Sequence, residues 1–227
     1  MSRLTVDEIQ SRIAAVTNQD ENTANLSSED YSLRLKYINM AQKEWAETYD
    51  WQVLYTEYNT LTSVSTGNAS IAMPDNYRKL ASFPKITFDG VTTGLFTEVR
   101  PEEDSQYGST DRRVWVLGAP DTGYVLRVFG TDLISGASIK IPYYRTPTSL
   151  VTTTDIPTIP NADYLVERTK AYIWEDREDA RYLTAKRDAE KILETMLEFE
   201  QVPNQASDWD RVKSVNETRY KFRLGRD

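Results

Sequence analysis

The chain has 227 residues, of which 39% are hydrophobic and 27% charged, enough for one good core or for one core and a smaller lobe. Its formal net charge of −8 makes non-specific binding of duplex nucleic acid by the fold as a whole unfavourable. It has neither cysteine nor histidine, which excludes disulfides, metal–thiolate sites, Ser-His and Cys-His nucleophile activation and the commonest zinc ligand.

No apolar run approaches the roughly 20 residues that a membrane-spanning helix needs, and Met1-Ser2-Arg3-Leu4-Thr5 lacks the layout of a signal peptide. Thr5-Val6-Asp7-Glu8 is a capping box, and Val6, Ile9, Ile13 and Val16 follow at helical spacing, so a first helix runs to about Val16. A polar loop follows. Ser27 with Asp30 then opens a longer helix to about Tyr49, with a stripe of Leu35, Ile38, Ala41, Trp45 and Tyr49.

After Asp50-Trp51 the period changes. Val53, Tyr55, Thr60, Leu61 and Val64 are β-type residues, and Thr66-Gly67-Asn68 reads as a turn before Ile71 and Met73. A strand over 81–88 leads into Asp89-Gly90, the dipeptide of a tight hairpin. Further strands are expected over 94–99, 113–117, 124–129 and 137–144, with 118–123 as a loop. About seven short strands at near-regular spacing suggest a small antiparallel sandwich or barrel. Residues 145–160, rich in Thr and Pro, read as an extended crossing segment. Helical spacing returns after Pro160, with Leu165, Thr169, Tyr172, Ile173 and Trp174 on one helix. Ala185, Ala189, Ile192, Leu193, Met196 and Phe199 mark another, which Pro203 stops. Ser207-Asp208-Trp209-Asp210 can cap a last short helix.

Two acidic stretches could carry chemistry. Glu175, Glu178 and Asp179 fall at i, i+3 and i+4 and could face a hard cation, but Arg177 and Arg181 interleave, and a solvated helix face with ion pairs is the better reading. Glu102, Glu103 and Asp104 could supply the carboxyl pair of a glycoside hydrolase, but after Pro101 they more simply open a surface turn. Phosphate-binding glycine loops are absent. The reading is of a protein that is not an enzyme and needs no cofactor or metal.

The end of the chain differs from the rest. Between Arg211 and Arg226 six basic residues meet one acid, Glu217, a charge of +5 that leaves −13 on the remainder. Arg219-Tyr220-Lys221-Phe222-Arg223-Leu224 alternates cation and apolar, the period of a strand with one greasy face. A lone strand of that length has no partner for its backbone, so it folds back on its own domain or is held by something else. Strand addition or groove docking on a protein fits the alternation best. Pairing with phosphate and stacking on bases is the alternative, giving a nucleic-acid-binding protein that acts through this tail.

The run Arg34-Leu35-Lys36-Tyr37-Ile38-Asn39-Met40-Ala41-Gln42-Lys43-Glu44-Trp45-Ala46-Glu47, closed by Tyr49-Asp50-Trp51, resembles the second helix of the head-to-tail adaptor (connector, portal-adaptor) proteins of tailed bacteriophages. Met73-Pro74-Asp75-Asn76-Tyr77-Arg78 is similar to the family's strand region, and Asp179-Ala180-Arg181-Tyr182 and Asp188-Ala189-Glu190-Lys191 to its late helix pair. The resemblance implies a structural virion protein, made in the host cytoplasm and placed at the head–tail junction. It implies a ring of usually twelve copies beneath the portal protein, extending the DNA channel without sequence-specific binding and offering a surface to tail or nozzle proteins. The family's C-terminal arm grips the portal. On that likeness Arg211, Lys213, Arg219, Tyr220, Lys221, Phe222, Arg223 and Leu224 are the expected portal contacts. The expected fold is α+β: a discontinuous helical bundle from 1–50 and 161–206, an inserted antiparallel β-rich lobe over 51–160, and a short helix and extended arm over 207–227.

Overall fold

The computed structural model describes residues 3–17, 27–61, 64–65, 68–81, 85–88, 91–108, 111–130 and 138–201. Within them the chain is mixed helix and sheet, of the α+β class.

Helix α1 spans Val6–Thr17. Its capping box is formed: the Thr5 N–H donates to Glu8 Oε2 at 2.7 Å and the Glu8 N–H to Thr5 Oγ1 at 3.3 Å. Val6, Ile9 and Ile13 are buried, but Val16 is exposed and Thr17 takes the buried position, because the stripe drifts by the mismatch between a 3.6-residue turn and integer spacing. Helix α2 spans Ser28–Thr48, capped by the Ser27 hydroxyl, which accepts from the Asp30 N–H at 3.1 Å. Helix α3 spans Ala162–Asp176, where the Asn161 side chain accepts from the Asp163 N–H. Helix α4 spans Arg181–Gln201.

Helix α3 lies against α1, α2 and α4. The cluster it centres includes Ile9, Ile13, Ile38, Trp45, Tyr164 and Leu165, all essentially inaccessible to water. Phe199 departs from its expected place on the α4 stripe and is 75% exposed. With 21 residues to α3's 15, α4 is longer by about 9 Å at 1.5 Å per residue, so its last turn overhangs its partner.

The strands are β1 Tyr55–Leu61, β2 Val64–Ser65, β3 Asn68–Ala72, β4 Tyr77–Leu80, β5 Lys85–Phe88, β6 Val91–Leu95, β7 Thr97–Glu98, β8 Arg113–Ala119, β9 Gly123–Phe129 and β10 Ser138–Arg145. They form two five-stranded sheets, one ordered β1-β10-β5-β6 with β4 also on β10, the other β2-β3-β9-β8-β7. Both sheets contribute to one apolar cluster, with Ile71, Phe96, Leu126 and Val128 beside Ile139 and Ile141.

Several strand expectations are corrected. The segment expected over 94–99 breaks at Phe96, which turns inward between β6 and β7. β7 then pairs with β8 in parallel, Thr97 opposite Arg113, because the connection through the 3-10 turn Pro101–Gln106 is long enough for a crossover. Residues 118–123 are not a loop. β8 and β9 stay paired to Ala119 opposite Gly123, leaving Pro120, Asp121 and Thr122 to turn. Gly118 has φ +114°, and a Cβ there would lie 2.1 Å from the Gly123 carbonyl oxygen. β5 and β6 pair with Phe88 opposite Val91, while the Asp89-Gly90 that links them lies outside the described residues, as does most of the expected turn at 66–68.

Candidate partner-binding surface

Helix α2 ends at a joint to the sheets. Tyr49 leaves the helix in extended conformation. Trp51 folds back to stack on Trp45, ring centroids 5.0 Å apart, and its indole N–H donates to the Trp45 carbonyl at 2.7 Å, satisfying one of the acceptors that a helix end exposes. Asp50 receives Arg78 at 3.1 Å and Lys79 at 2.6 Å, and both cations lie over the Tyr144 ring of β10. The Tyr49-Asp50-Trp51 motif therefore fixes α2 to β4 and β10.

Residues 146–160 return from β10 to α3 as a strap along α2, turning at 152–154 and bending at 158–160. Asn39 holds it as a strand would: its amide donates to the Leu150 carbonyl at 2.9 Å and accepts from the Leu150 N–H at 2.8 Å. Buried Gln42 donates to the Thr148 carbonyl at 2.9 Å and accepts from the Thr158 N–H at 3.1 Å. Farther along, the N–H groups of Val6 and Asp7 in the first turn of α1 donate to the carbonyls of Asp155 and Thr153. The Asp155 carboxylate accepts from the Thr152 hydroxyl and from the N–H groups of Thr152 and Val151, and these bonds hold its pKa below the usual carboxylate value.

One charged cluster joins α2 and α3. Arg168 donates both arms of its guanidinium to Glu44, at 2.7 and 2.8 Å, and lies over the Tyr172 ring. The Tyr172 hydroxyl donates to Glu44 at 2.5 Å, and burial, with this bond second, pushes its pKa up to about 12. Such a closed set locks two helices together rather than presenting a free acid or base.

Between α2, the strap and the sheets runs a groove. One part, of about 450 Å³, lies along Lys36, Met40 and Lys43 of α2 and Thr146, Pro147 and Ser149 of the strap. The other, of about 570 Å³, continues past Lys43 and Thr146 to Met73, Pro74, Tyr77, Tyr124 and the β8–β9 turn at Pro120 and Asp121. Its walls mix apolar and aromatic residues with the charged Lys43, Glu47 and Arg78, and Asp75 and Asp121 stand on them exposed, without an ion pair among the described residues. A shallow, open trough of this kind suits contact with a protein surface rather than enclosure of a small substrate.

The acidic stretches take structural roles. Glu175, Glu178 and Asp179 do not share a helical face: α3 stops at Asp176, Glu178 has φ +55°, and the Asp179 N–H reaches back to the Trp174 carbonyl. Arg181 pairs with Asp179 two residues away and lies 4.9 Å from the Trp174 ring centroid. Glu103 accepts from the Arg100 N–H in a capping box, and Asp104 receives Arg113. Among the described residues no group of three His, Cys, Asp or Glu is placed to hold a metal ion, and no helix is long and apolar enough to cross a membrane. The expected contacts Arg211, Lys213, Arg219, Tyr220, Lys221, Phe222, Arg223 and Leu224 lie outside the described residues. Sequence reasoning missed Asn39, Gln42 and Asp50. Gln42 stands four residues after Ile38 on the buried stripe, and a polar residue there is the signal that a backbone crosses the helix.

Residues 4–215 match the family model described as SU10 adaptor protein. No curated protein matches the chain.

Proposed function

The chain belongs to the SU10 adaptor protein family, a family of phage head–tail adaptors, and on that premise we propose that it is a ring-forming structural protein of the virion that docks beneath the portal. The ring extends the DNA channel and presents the attachment surface for the tail. The observation that carries this reading is the family match, which runs from α1 through α4 and reaches the start of the basic segment. The helices from both ends of the chain make one bundle, and the region between them is the inserted lobe.

In this reading the protein works by contact and carries no active site. The charge of −13 outside the tail favours a channel wall that repels the DNA backbone and lets it slide. Arg211 and Lys213 fall within the matched span, whereas Arg219 to Leu224 follow it, so the portal role of the alternating six rests on the likeness to the family's C-terminal arm, with charge and period in support of a docked strand. The open groove beside α2 serves contacts to neighbouring subunits or tail components.

The test is a chain ending at Ser207. It is expected to keep the parent's circular dichroism and melting profile and to fail to join portal-bearing heads, scored by sedimentation and electron microscopy. Normal joining by the truncated chain overturns the assignment of the arm.

A further inference from the structure

β1 is a seven-residue strand with one neighbour among the described residues, β10. Its other edge, about 23 Å long at 3.3 Å per residue, has no strand partner among the described residues. The other edge strands are shorter, β2 and β7 having two residues each, β4 four and β6 five. Proteins guard such edges with lysine, proline or a bulge. Tyr55-Thr56-Glu57-Tyr58-Asn59-Thr60-Leu61 has none of the three, and its one charge is negative.

The described structure ends near the start of β1. Glu200, one residue before the end of α4, accepts from the backbone N–H of Gln52, three residues before β1 begins. Phe199, in the last turn of α4, is 75% exposed, and Tyr55, which meets Tyr144 edge-on, keeps 44% of its surface exposed. Residues 202–218 separate the end of α4 from the alternating segment, a reach of up to about 56 Å at 3.3 Å per residue, more than twice the length of β1.

The two faces of β1 also match the two faces of that segment. Tyr55, Glu57 and Asn59 are exposed, whereas Thr56, Tyr58 and Thr60 are half-buried and Tyr58 packs on the sheet core. A strand laid on the edge with Tyr220, Phe222 and Leu224 beside the Thr56-Tyr58-Thr60 row extends that apolar face. It brings Arg219, Lys221 and Arg223 beside the half-exposed Tyr55 ring and beside Glu57, whose ion pair with Lys140 is a loose 3.8 Å. We infer that, in the free protein, the segment Arg219-Tyr220-Lys221-Phe222-Arg223-Leu224 docks on the open edge of β1 of its own chain as an added strand. This deepens the proposed role of the arm, which is then stored on the body until a portal takes it, but its test needs no portal.

Hydrogen exchange on the full chain reads the edge directly. The β1 amides that do not bond β10 are expected to exchange at least about tenfold faster in the chain ending at Ser207. They are expected to do the same in the full-length variant Arg219→Glu, Lys221→Glu, Arg223→Glu, which guards against a folding defect of the truncation. Equal exchange in all three overturns the inference. Because the chain has no cysteine, the variant Asn59→Cys, Lys221→Cys can be joined by a short bis-maleimide. A cross-link within one chain is expected. A cross-link formed only between chains, in a mixture of the two single variants, overturns the assignment to the same chain and makes a second copy the occupant. Loss of head joining on truncation is scored separately, so the portal reading and the storage of the arm fail independently.

Discussion

The strap along α2 hangs on few bonds, and Asn39 makes two of them. Asn39→Ala removes the bonds of 2.9 and 2.8 Å to Leu150 and leaves that residue's N–H and C=O without partners in a partly buried place. At about 1 kcal/mol net for each bond, and somewhat more for the groups left unpaired, the loss is about 2–3 kcal/mol. For a chain of this size each kcal/mol moves Tm by about 2–4 °C, so the variant is expected to melt about 4–12 °C below the parent. Asn39→Asp keeps the acceptor for the Leu150 N–H but sets a carboxylate against the Leu150 carbonyl, and it is expected to be destabilised at neutral pH and partly restored near pH 4, where the introduced carboxyl regains a proton to donate. Thermal and urea unfolding followed by far-ultraviolet circular dichroism and by tryptophan fluorescence measure both effects. A melting point for Asn39→Ala within about 1 °C of the parent refutes the clamp.

Other sites give sharp contrasts. Gly118→Ala, at φ +114° with its new methyl driven onto the Gly123 carbonyl, is expected to cost more than about 2 kcal/mol, whereas Gly123→Ala, at φ +78° in open space, is expected to cost about 1 kcal/mol; paired urea melts read the difference. Asp50→Ala leaves Arg78 and Lys79 without their carboxylate at the helix–sheet joint, and a loss of about 2 kcal/mol is expected in the same assay, discounted for partial exposure. Tyr172 has a folded pKa raised to about 12 against an ordinary value of 10.0, so its contribution to stability is whole below pH 10 and is lost as pH climbs from 10 to 12. Tyr172→Phe is expected to make stability fall less steeply across that window, seen in denaturant melts at stepped pH.

The helices were legible because each announces itself twice, by a cap and by a stripe. Thr5 with Glu8 and Ser27 with Asp30 mark starts that the backbone confirms by hydrogen bonds. The family was legible in the α2 run and its closing Tyr49-Asp50-Trp51, which the fold uses as a joint. The strands were harder. β2 and β7 are two residues long, below the reach of any alternation, and the parallel pairing of β7 depends on a crossover that local sequence does not encode. Gly118 and Gly123 read as loop residues because glycine marks both loops and strand ends with positive φ. Asn39 and Gln42 escaped because their partners are backbone groups more than a hundred residues away, invisible to a reading by side-chain period. Phe199 misled because period alone does not reveal that α3 is too short to cover it.

β1 and β10, the strand that enters the sheets from α2 and the strand that leaves them for the strap, are bonded to each other through seven residue pairs, from Tyr55 opposite Tyr144 to Leu61 opposite Ser138. Both attach to the helical body at the same end. A pull that separates body from sheets is therefore divided between two covalent tethers and directed along the strands, so no ladder of hydrogen bonds between the tethers is peeled open. That arrangement lets load between the helical body and the sheets pass through the backbone while the weaker contacts stay unstretched.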